Sequence, residues 1–144
     1  MKAEGSRGGL EPGIIVIPVY NEENTVRNVL EEIRNEGIAW DIVAVDDGST
    51  DRSRELLAGM PVTVISHPVN LGYGAAVQTG LRYAVKKGYE TVVLMDADGQ
   101  HVPSEIANLI RGLTDGADIV IGCRLLGPGA EYRIPLLRRI GISF

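Results

Sequence analysis

Two carboxylates, Asp96 and Asp98, stand two residues apart after an apolar run, residues 91–95, that predicts a buried strand. Side chains alternate along a strand, so both carboxylates point the same way if the extended path continues past Met95. Such groups repel each other unless a cation lies between them, and their oxygens suit Mg²⁺ or Mn²⁺ better than Zn²⁺. The pair indicates a site for a metal-bound diphosphate, although an isolated Asp-x-Asp is more often a surface turn.

Short runs rich in Val and Ile predict five strands of a parallel sheet covered on both faces: residues 14–19, 42–46, 62–65, 91–95 and 119–122. Apolar residues at helical spacing lie between the runs. They are Val26, Val29, Leu30 and Ile33 in the first helix, Val77, Leu81, Ala84 and Val85 in the third, and Ile106, Leu109, Ile110 and Leu113 in the fourth. A shorter second helix follows Ser49-Thr50-Asp51, which can cap its first turn.

The alternation of strands and helices predicts a doubly wound, mostly parallel α/β sheet with helices on both faces and right-handed crossovers. Ligands bind such sheets at the carboxyl ends of the strands, near the point where the strand order reverses. Polar segments follow the first, second and fourth predicted strands, at residues 18–22, 46–49 and 96–98. We therefore expect these segments to share one rim of the sheet.

The usual phosphate-binding loops are missing from the sequence. No G-x-G-x-x-G follows the first predicted strand, and the segment that begins at Gly72-Tyr73-Gly74 has Val77 at the third glycine position and follows the third strand. No G-K-[ST] occurs anywhere. Classical NAD binding and a P-loop are therefore disfavoured, and a metal held by Asp96 and Asp98 remains the means of binding phosphate.

Composition narrows the function classes further. The 144 residues suffice for one domain with a sizeable core, and the net charge of -5 disfavours nucleic acid as a partner. The single cysteine, Cys123, excludes an internal disulfide, and no Cys/His cluster suggests structural zinc. Both features favour a reducing compartment. No apolar run of the sequence approaches the roughly 20 residues that span a bilayer.

Several motifs together resemble family 2 glycosyltransferases. They are Val-Ile-Pro-Val-Tyr-Asn-Glu-Glu at residues 16–23, Val-Asp-Asp-Gly-Ser-Thr-Asp at 45–51, Asn-Leu-Gly-Tyr-Gly-Ala-Ala at 70–76 and Asp-Ala-Asp-Gly-Gln-His at 96–101. The last two are most similar to the branch of dolichol-phosphate mannose synthases and polyprenyl-phosphate glycosyltransferases. Residues 119–124 fit that branch as well, with Cys123 where serine is usual. The resemblance covers residues 14–124.

The resemblance implies a GT-A fold and an inverting transfer of a hexosyl group from a nucleoside diphosphate sugar, with Mg²⁺ or Mn²⁺ as cofactor. It implies that Asp47 contacts the base. The other residues it assigns to the nucleotide pocket are Pro18, Tyr20, Glu22, Asn70, Gly72 and Asp96. It assigns the metal and diphosphate to Asp96, Asp98 and Gln100, and the catalytic positions to Asp98 and Arg124, the latter beside the phosphate groups or the acceptor.

Simpler structural roles compete with these assignments. Tyr20 is either a core aromatic or, as favoured by its place after a strand, a stacking platform for the base. One of Asp46 and Asp47 is expected to cap the following helix, which leaves the other free for the ligand. We expect His101 to orient a neighbour or to pack rather than to bind the metal, and Cys123 to be an inert small hydrophobe.

The expected organisation is a flexible leader at residues 1–13, a nucleotide-sugar-binding core at 14–124 and the start of an acceptor-side or interfacial segment at 125–144. We expect that the sequence is a fragment and that the third part continues beyond it. Arg133, Arg138 and Arg139 form either a solvated face or, beside apolar residues, a surface for a lipid phosphate at a membrane. The predicted location is the cytoplasm, at the cytoplasmic face of a membrane for the full-length protein.

The leading hypothesis is transfer from a donor of the GDP-mannose or UDP-glucose type to a polyprenyl or dolichyl phosphate. Two alternatives stay open: a polysaccharide or glycolipid synthase with a sugar hydroxyl as acceptor, and a nucleotide-sugar-binding fragment without transfer activity. A nucleotidyltransferase is opposed by residues 18–22, which lack the glycine and lysine of its usual loop. The sequence leaves the base, the sugar and the oligomeric state open.

Overall fold

The structure, a computed structural model, describes residues 13–115 and 117–122. Four strands alternate with four helices along this part of the chain. In order they are β1 (Ile14–Val19), α1 (Val26–Asn35), β2 (Asp41–Asp46), α2 (Ser53–Ala58), β3 (Thr63–Ser66), α3 (Tyr73–Lys87), β4 (Val92–Leu94) and α4 (Glu105–Thr114). The first four predicted strands and all four predicted helices are confirmed.

The four strands form one parallel sheet in the order β3-β2-β1-β4. β1 is central and fully buried, and its residues pair with β2 from Ile14 opposite Asp41 to Val19 opposite Asp46. The chain moves from β1 outward to β3 and then returns to the other side of β1 to form β4. The strand order therefore reverses at β1, and a crevice opens between the carboxyl ends of β1 and β4.

Helices cover both faces of the sheet, as the doubly wound fold requires. Helices α1, α2 and α4 contribute to the larger core on one face, where Ile15 and Ile17 of β1 are buried against residues such as Leu30 and Leu57. Helix α3 covers the other face, where Ala84 packs in a smaller cluster with Ile14 and other strand residues. The alternation of β1 side chains between the faces is what divides the core in two.

Helix α3 presents a different face to the sheet from the one its large apolar residues predict. Its buried residues are Ala76, Gly80 and Ala84, whereas Leu81 is 41% and Val85 is 78% exposed. Small residues bring the helix backbone close to the sheet, since a Cβ atom on Gly80 would lie only 2.2 Å from Cγ1 of Val16 in β1. Of the predicted stripe, Ala84 is buried as expected, but the prediction was wrong for Leu81 and Val85. Fit to the sheet, rather than side-chain size, decides which face packs.

The predicted fifth strand does not form within the described residues. Residues 119–122 pair with no strand, and Ile119 and Ile121 are 79% and 83% exposed. Val120 lies instead against α4, where a Cβ atom on Gly112 would be 2.8 Å from its Cγ2. An apolar run becomes a strand only where another strand supplies hydrogen bonds, and here Val120 takes its contacts from a helix.

Several sequence-based expectations lie outside the described residues. They concern the leader, of which only Gly13 is described, together with Cys123, Arg124 and residues 125–144 with Arg133, Arg138 and Arg139. Within the described ranges, no helix has the length and apolar character needed to cross a bilayer.

We predict that Gly80→Ala lowers the free energy of unfolding by about 1 to 2 kcal/mol. Overpacking a core costs about 1–3 kcal/mol, and the better helix propensity of alanine returns about 1 kcal/mol at most. Gly74→Ala is the matched control, because a Cβ atom there meets nothing within 4 Å. Urea unfolding measures both variants, and equal stability of the two would show that α3 does not approach β1 this closely.

Candidate active site

A cleft of about 280 Å³ lies at the carboxyl ends of β1 and β4, beside the first residues of α3. It is lined by Pro18, Val19, Tyr20, Glu22, Asp47, Asn70, Tyr73, Ala76, Asp96, Ala97 and Asp98. The structure thus brings together seven of the residues that the sequence places in a nucleotide or metal site. Gly72 and Gln100 flank the cleft through their backbones, and Arg124 lies outside the described residues.

The loop after β1 carries Tyr20 into the cleft and is held by the loop after β2. Tyr20 is 45% exposed, so it is not a core residue. Asn21 follows it with a φ of 55°, a left-handed conformation that is uncommon outside glycine. The side-chain oxygen of Asn21 accepts a hydrogen bond from the N–H of Thr50 at 2.8 Å. The backbone N–H of Asn21 donates to Oγ of Ser49 at 3.1 Å. These bonds fix the backbone on which Tyr20 stands.

Asp46, the last residue of β2, points toward α2 and is completely buried. Its Oδ1 accepts the N–H of Ser49 at 2.9 Å, and its Oδ2 lies 2.7 Å from Nε of Arg54. Burial acts to raise the pKa of this carboxyl, but the bonds from Ser49 and Arg54 outweigh it and the pKa lies below its usual value. The carboxylate is therefore ionised and structural.

Neither residue of the Asp46-Asp47 pair caps α2, so that expectation was wrong. The N-cap position of α2 is Arg52, which makes no side-chain capping bond. The N–H of Ser53, the first residue of the helix, donates instead to Oδ1 of Asp51 at 2.9 Å. Asp51 lies next to the start of the helix and makes the bond there. The carboxylate of Asp46 is instead bound to Ser49 and Arg54.

Asp47 points the other way, toward the loop that precedes α3, and is nearly fully buried. Its Oδ1 accepts the N–H of Leu71 at 2.9 Å and lies 2.7 Å from Nδ1 of His67, while its Oδ2 accepts the N–H of Gly72 at 2.8 Å. Burial acts to raise its pKa, but these bonds together lower it below the usual value. Asp47 thus fastens the 70–72 loop to the sheet while lining the cleft.

Two residues of this site were missed by the sequence reasoning. His67 connects Asp47 to α3, because its Nε2 lies 2.9 Å from Oγ1 of Thr79. A signal existed for His67: it follows directly on β3, at the same edge of the sheet as the polar segments after the other strands. Thr79 gave none, since an isolated threonine within a helix has no distinguishing pattern.

Asp96 and Asp98 follow β4 and face the same cleft. Oδ1 of Asp96 accepts a hydrogen bond from the hydroxyl of Tyr73 at 2.8 Å. The backbone N–H of Asp96 donates to Nδ1 of His101 at 3.0 Å. Oδ1 of Asp98 accepts the N–H of Gln100 at 2.8 Å. His101 therefore binds the backbone of a neighbour, and Tyr73 is a further cleft residue that the sequence reasoning missed.

The cleft carries a concentrated negative charge. Four of its lining residues are acidic, and no lysine or arginine of the described ranges lines it. The pKa of Tyr73 is raised to about 12 by burial, by its hydrogen bond to Asp96 and by the charges of Asp96 and Asp98. An anionic diphosphate would be repelled here unless a cation accompanied it.

The residues present fit a divalent cation that shares its coordination with a bound diphosphate. Asp96 and Asp98 offer oxygen ligands in one cleft, and the described residues bring no three His, Cys, Asp or Glu side chains together as a complete cage. Mg²⁺ is commonly held in this way, by one or two carboxylates with the remaining ligands from substrate phosphates and water. The arrangement suits a cation whose remaining ligands would come from a bound diphosphate and water.

The chain is similar in sequence to known glycosyltransferases. Residues 14–143 match the family described as Glycosyl transferase family 2. A UDP-N-acetylglucosamine–dolichyl-phosphate N-acetylglucosaminyltransferase of Methanococcus voltae is 32% identical over 145 residues, which cover 88% of this chain and 57% of that protein. A dolichol-phosphate mannosyltransferase of Pyrococcus furiosus is 36% identical over 132 residues, covering 88% and 37%. The chain spans about half the length of the relatives it matches.

Solved structures share the architecture. A mannosyltransferase from Pyrobaculum calidifontis in complex with GDP-Man and Mn²⁺ has a TM-score of 0.64 at 26% identity, over 76% of this chain and 34% of that one. Glucosyl-3-phosphoglycerate synthase from Mycobacterium tuberculosis in complex with UDP has a TM-score of 0.62 at 26% identity, over 73% and 40%. The expected GT-A fold is confirmed.

We predict that Asp46→Asn lowers the free energy of unfolding at pH 7 by about 1.5–3 kcal/mol, the worth of hydrogen bonds to a charged group. The folded-state pKa of Asp46 lies below the unfolded value of about 3.9, so its stabilisation is present above that pH and is lost as the pH falls through the folded pKa. The difference between wild type and variant should therefore narrow below about pH 4.

Denaturant unfolding from neutral to acid pH measures this difference. Arg54→Gln is the matched variant, because it removes the ion pair from the other side and leaves the carboxylate in place. Its deficit should likewise shrink as Asp46 takes up a proton. A deficit that is the same at every pH would contradict the ionised, structural role of Asp46.

Proposed function

Because this chain belongs to glycosyltransferase family 2, we propose that it forms the donor-binding part of an enzyme that transfers a sugar from a nucleoside diphosphate sugar to a polyprenyl or dolichyl phosphate. The observation that carries the proposal is the cleft at the reversal of strand order, where Tyr20, Asp47, Asp96 and Asp98 meet. Sheets of this kind bind nucleotides at that point.

In this proposal each wall of the cleft takes one part of the donor. The exposed ring of Tyr20 stacks on the base, and Asp47 accepts a hydrogen bond from one of its N–H groups. Asp96 and Asp98 hold the diphosphate end through Mg²⁺ or Mn²⁺. The bound cation would stabilise the negative charge that grows on the leaving diphosphate as the glycosidic bond breaks. The backbone of Gln100 supports Asp98 through its N–H.

A lipid phosphate is the proposed acceptor. The two relatives described above carry dolichyl phosphate or dolichol phosphate in their names. A phosphate monoester has a second pKa of about 6, so its oxygen is largely ionised near pH 7 and attacks the anomeric carbon without a strong general base. Attack from the face opposite the leaving diphosphate inverts the configuration of the anomeric carbon. We propose that the reaction takes place at the cytoplasmic face of a membrane.

The base of the proposed donor is either uracil or guanine. The relatives and the solved structures include both uridine and guanosine nucleotides in their names. A monodentate bond from Asp47 can serve the ring N–H of uracil or of guanine. Both uridine and guanosine nucleotide sugars are therefore candidate donors.

We predict that the chain binds UDP-glucose or GDP-mannose in the presence of Mn²⁺ and that Asp98→Ala weakens this binding by at least about 10-fold, because the cation loses a ligand. Isothermal titration calorimetry with and without Mn²⁺ measures the affinity. Asp115→Ala is the matched control, since it removes an exposed carboxylate at the end of α4, away from the cleft.

A folded chain that binds neither nucleotide sugar would overturn the proposed donor site. Equal loss of affinity in Asp98→Ala and Asp115→Ala would show that general charge, rather than the cleft, is being measured. Binding that is unaffected by removing Mn²⁺ would contradict the assignment of the cation to Asp96 and Asp98.

A further inference from the structure

His67 is a buried histidine that the donor-binding account leaves without a role. It lies between the carboxylate of Asp47 and the hydroxyl of Thr79, with one ring nitrogen directed at each. It belongs to no cleft wall, yet Asp47, which it contacts, lines the cleft. A buried polar side chain must be hydrogen-bonded at both nitrogens, and here both partners are provided by the chain itself.

The direction of the hydrogen bonds follows from the carboxylate. An ionised carboxylate only accepts, and the pKa of Asp47 lies below its usual value. Nδ1 of His67 must therefore carry the proton and donate to Oδ1. Nε2 is then left to pair with the hydroxyl of Thr79, which can donate or accept as needed.

Counting acceptor positions shows what His67 does to Asp47. A carboxylate oxygen offers about two lone-pair positions. Among the described residues, Oδ1 uses both, for His67 and for the N–H of Leu71, whereas Oδ2 accepts only the N–H of Gly72. One acceptor position therefore remains on Asp47, and it is on Oδ2.

We propose that His67 is a positioning residue that locks the Asp47 carboxylate, so that both of its oxygens hold the 70–72 loop and the remaining acceptor position, on Oδ2, is left for a base N–H. The part of this proposal that concerns the base rests on the donor site proposed above. The part that concerns the carboxylate and the loop rests only on the contacts of His67, Leu71 and Gly72. Thr79 anchors the imidazole from α3 and completes the arrangement.

Two substitutions separate the two ends of the ring. His67→Asn places an amide nitrogen near the position of Nδ1 and can still donate to Asp47, while losing Thr79. His67→Gln reaches toward the position of Nε2 and can still pair with Thr79, while losing Asp47. Both remove the ring and a similar volume, so a purely structural role predicts similar losses of stability and no difference in the site.

The first measurement needs no ligand. Amide hydrogen exchange should speed up at Leu71 and Gly72 in His67→Gln, relative to the amides of β1 in the same sample, and much less in His67→Asn. Normalising to β1 removes any global change in stability. The positioning role would be overturned if exchange at Leu71 and Gly72 accelerated equally in both variants. It would also be overturned if their exchange accelerated no more than that of the β1 amides.

The second measurement is calorimetric affinity for UDP and GDP with Mn²⁺. We expect His67→Gln to weaken the tighter-binding nucleotide by about 10-fold and His67→Asn to retain most of the wild-type affinity, since only the former frees Asp47 to turn. Equal affinities in the two variants would overturn the proposed link to the base. Absence of binding by the wild type would overturn the donor site, while the exchange measurement would still decide the role of His67.

Discussion

A carboxylate that is removed from water must receive hydrogen bonds from the protein, and at the carboxyl edge of this sheet that requirement falls on Asp47. Three donors meet it, from His67, Leu71 and Gly72. Those donors belong to segments that are far from Asp47 in sequence, so satisfying one charge also fixes the loop that forms one wall of the cleft. The bonds from Leu71 and Gly72 hold the 70–72 loop against the end of the sheet.

Asp46 and Asp47, at the carboxyl end of β2, make their contacts on opposite faces of the sheet. Adjacent residues of an extended chain point to opposite faces, so one carboxylate enters the α1–α2 side and the other enters the α3 side. Asp46 meets Arg54 and the turn before α2, and Asp47 meets His67 and the loop before α3. The same dipeptide thereby secures the turn before α2 on one face of the sheet and the loop before α3 on the other.

The sequence was sufficient for the parts of the fold that depend on local pattern. The buried face of α1 and the strands β1 and β2 follow from periodicity and apolar runs, and the cleft residues follow from the rule that strand ends share one rim. It failed where three-dimensional fit decides. Gly80 is buried because Val16 leaves no space for a side chain, and residues 119–122 find no strand partner in the part of the chain that the structure describes. His67 and Thr79 become meaningful only when Asp47 lies between them and the loop.

The charge of the cleft constrains how a donor could bind there. Four carboxylates surround a small volume, and each already accepts at least one hydrogen bond from the protein. They are those of Glu22, Asp47, Asp96 and Asp98. A cation alone finds too few ligands among these residues, and a diphosphate alone meets repulsion. In the proposed site each would therefore supply what the other lacks: phosphate oxygens would complete the coordination of the cation, and the positive charge would offset the carboxylates. If both bind there, thermodynamic linkage requires that each raises the affinity for the other by the same factor.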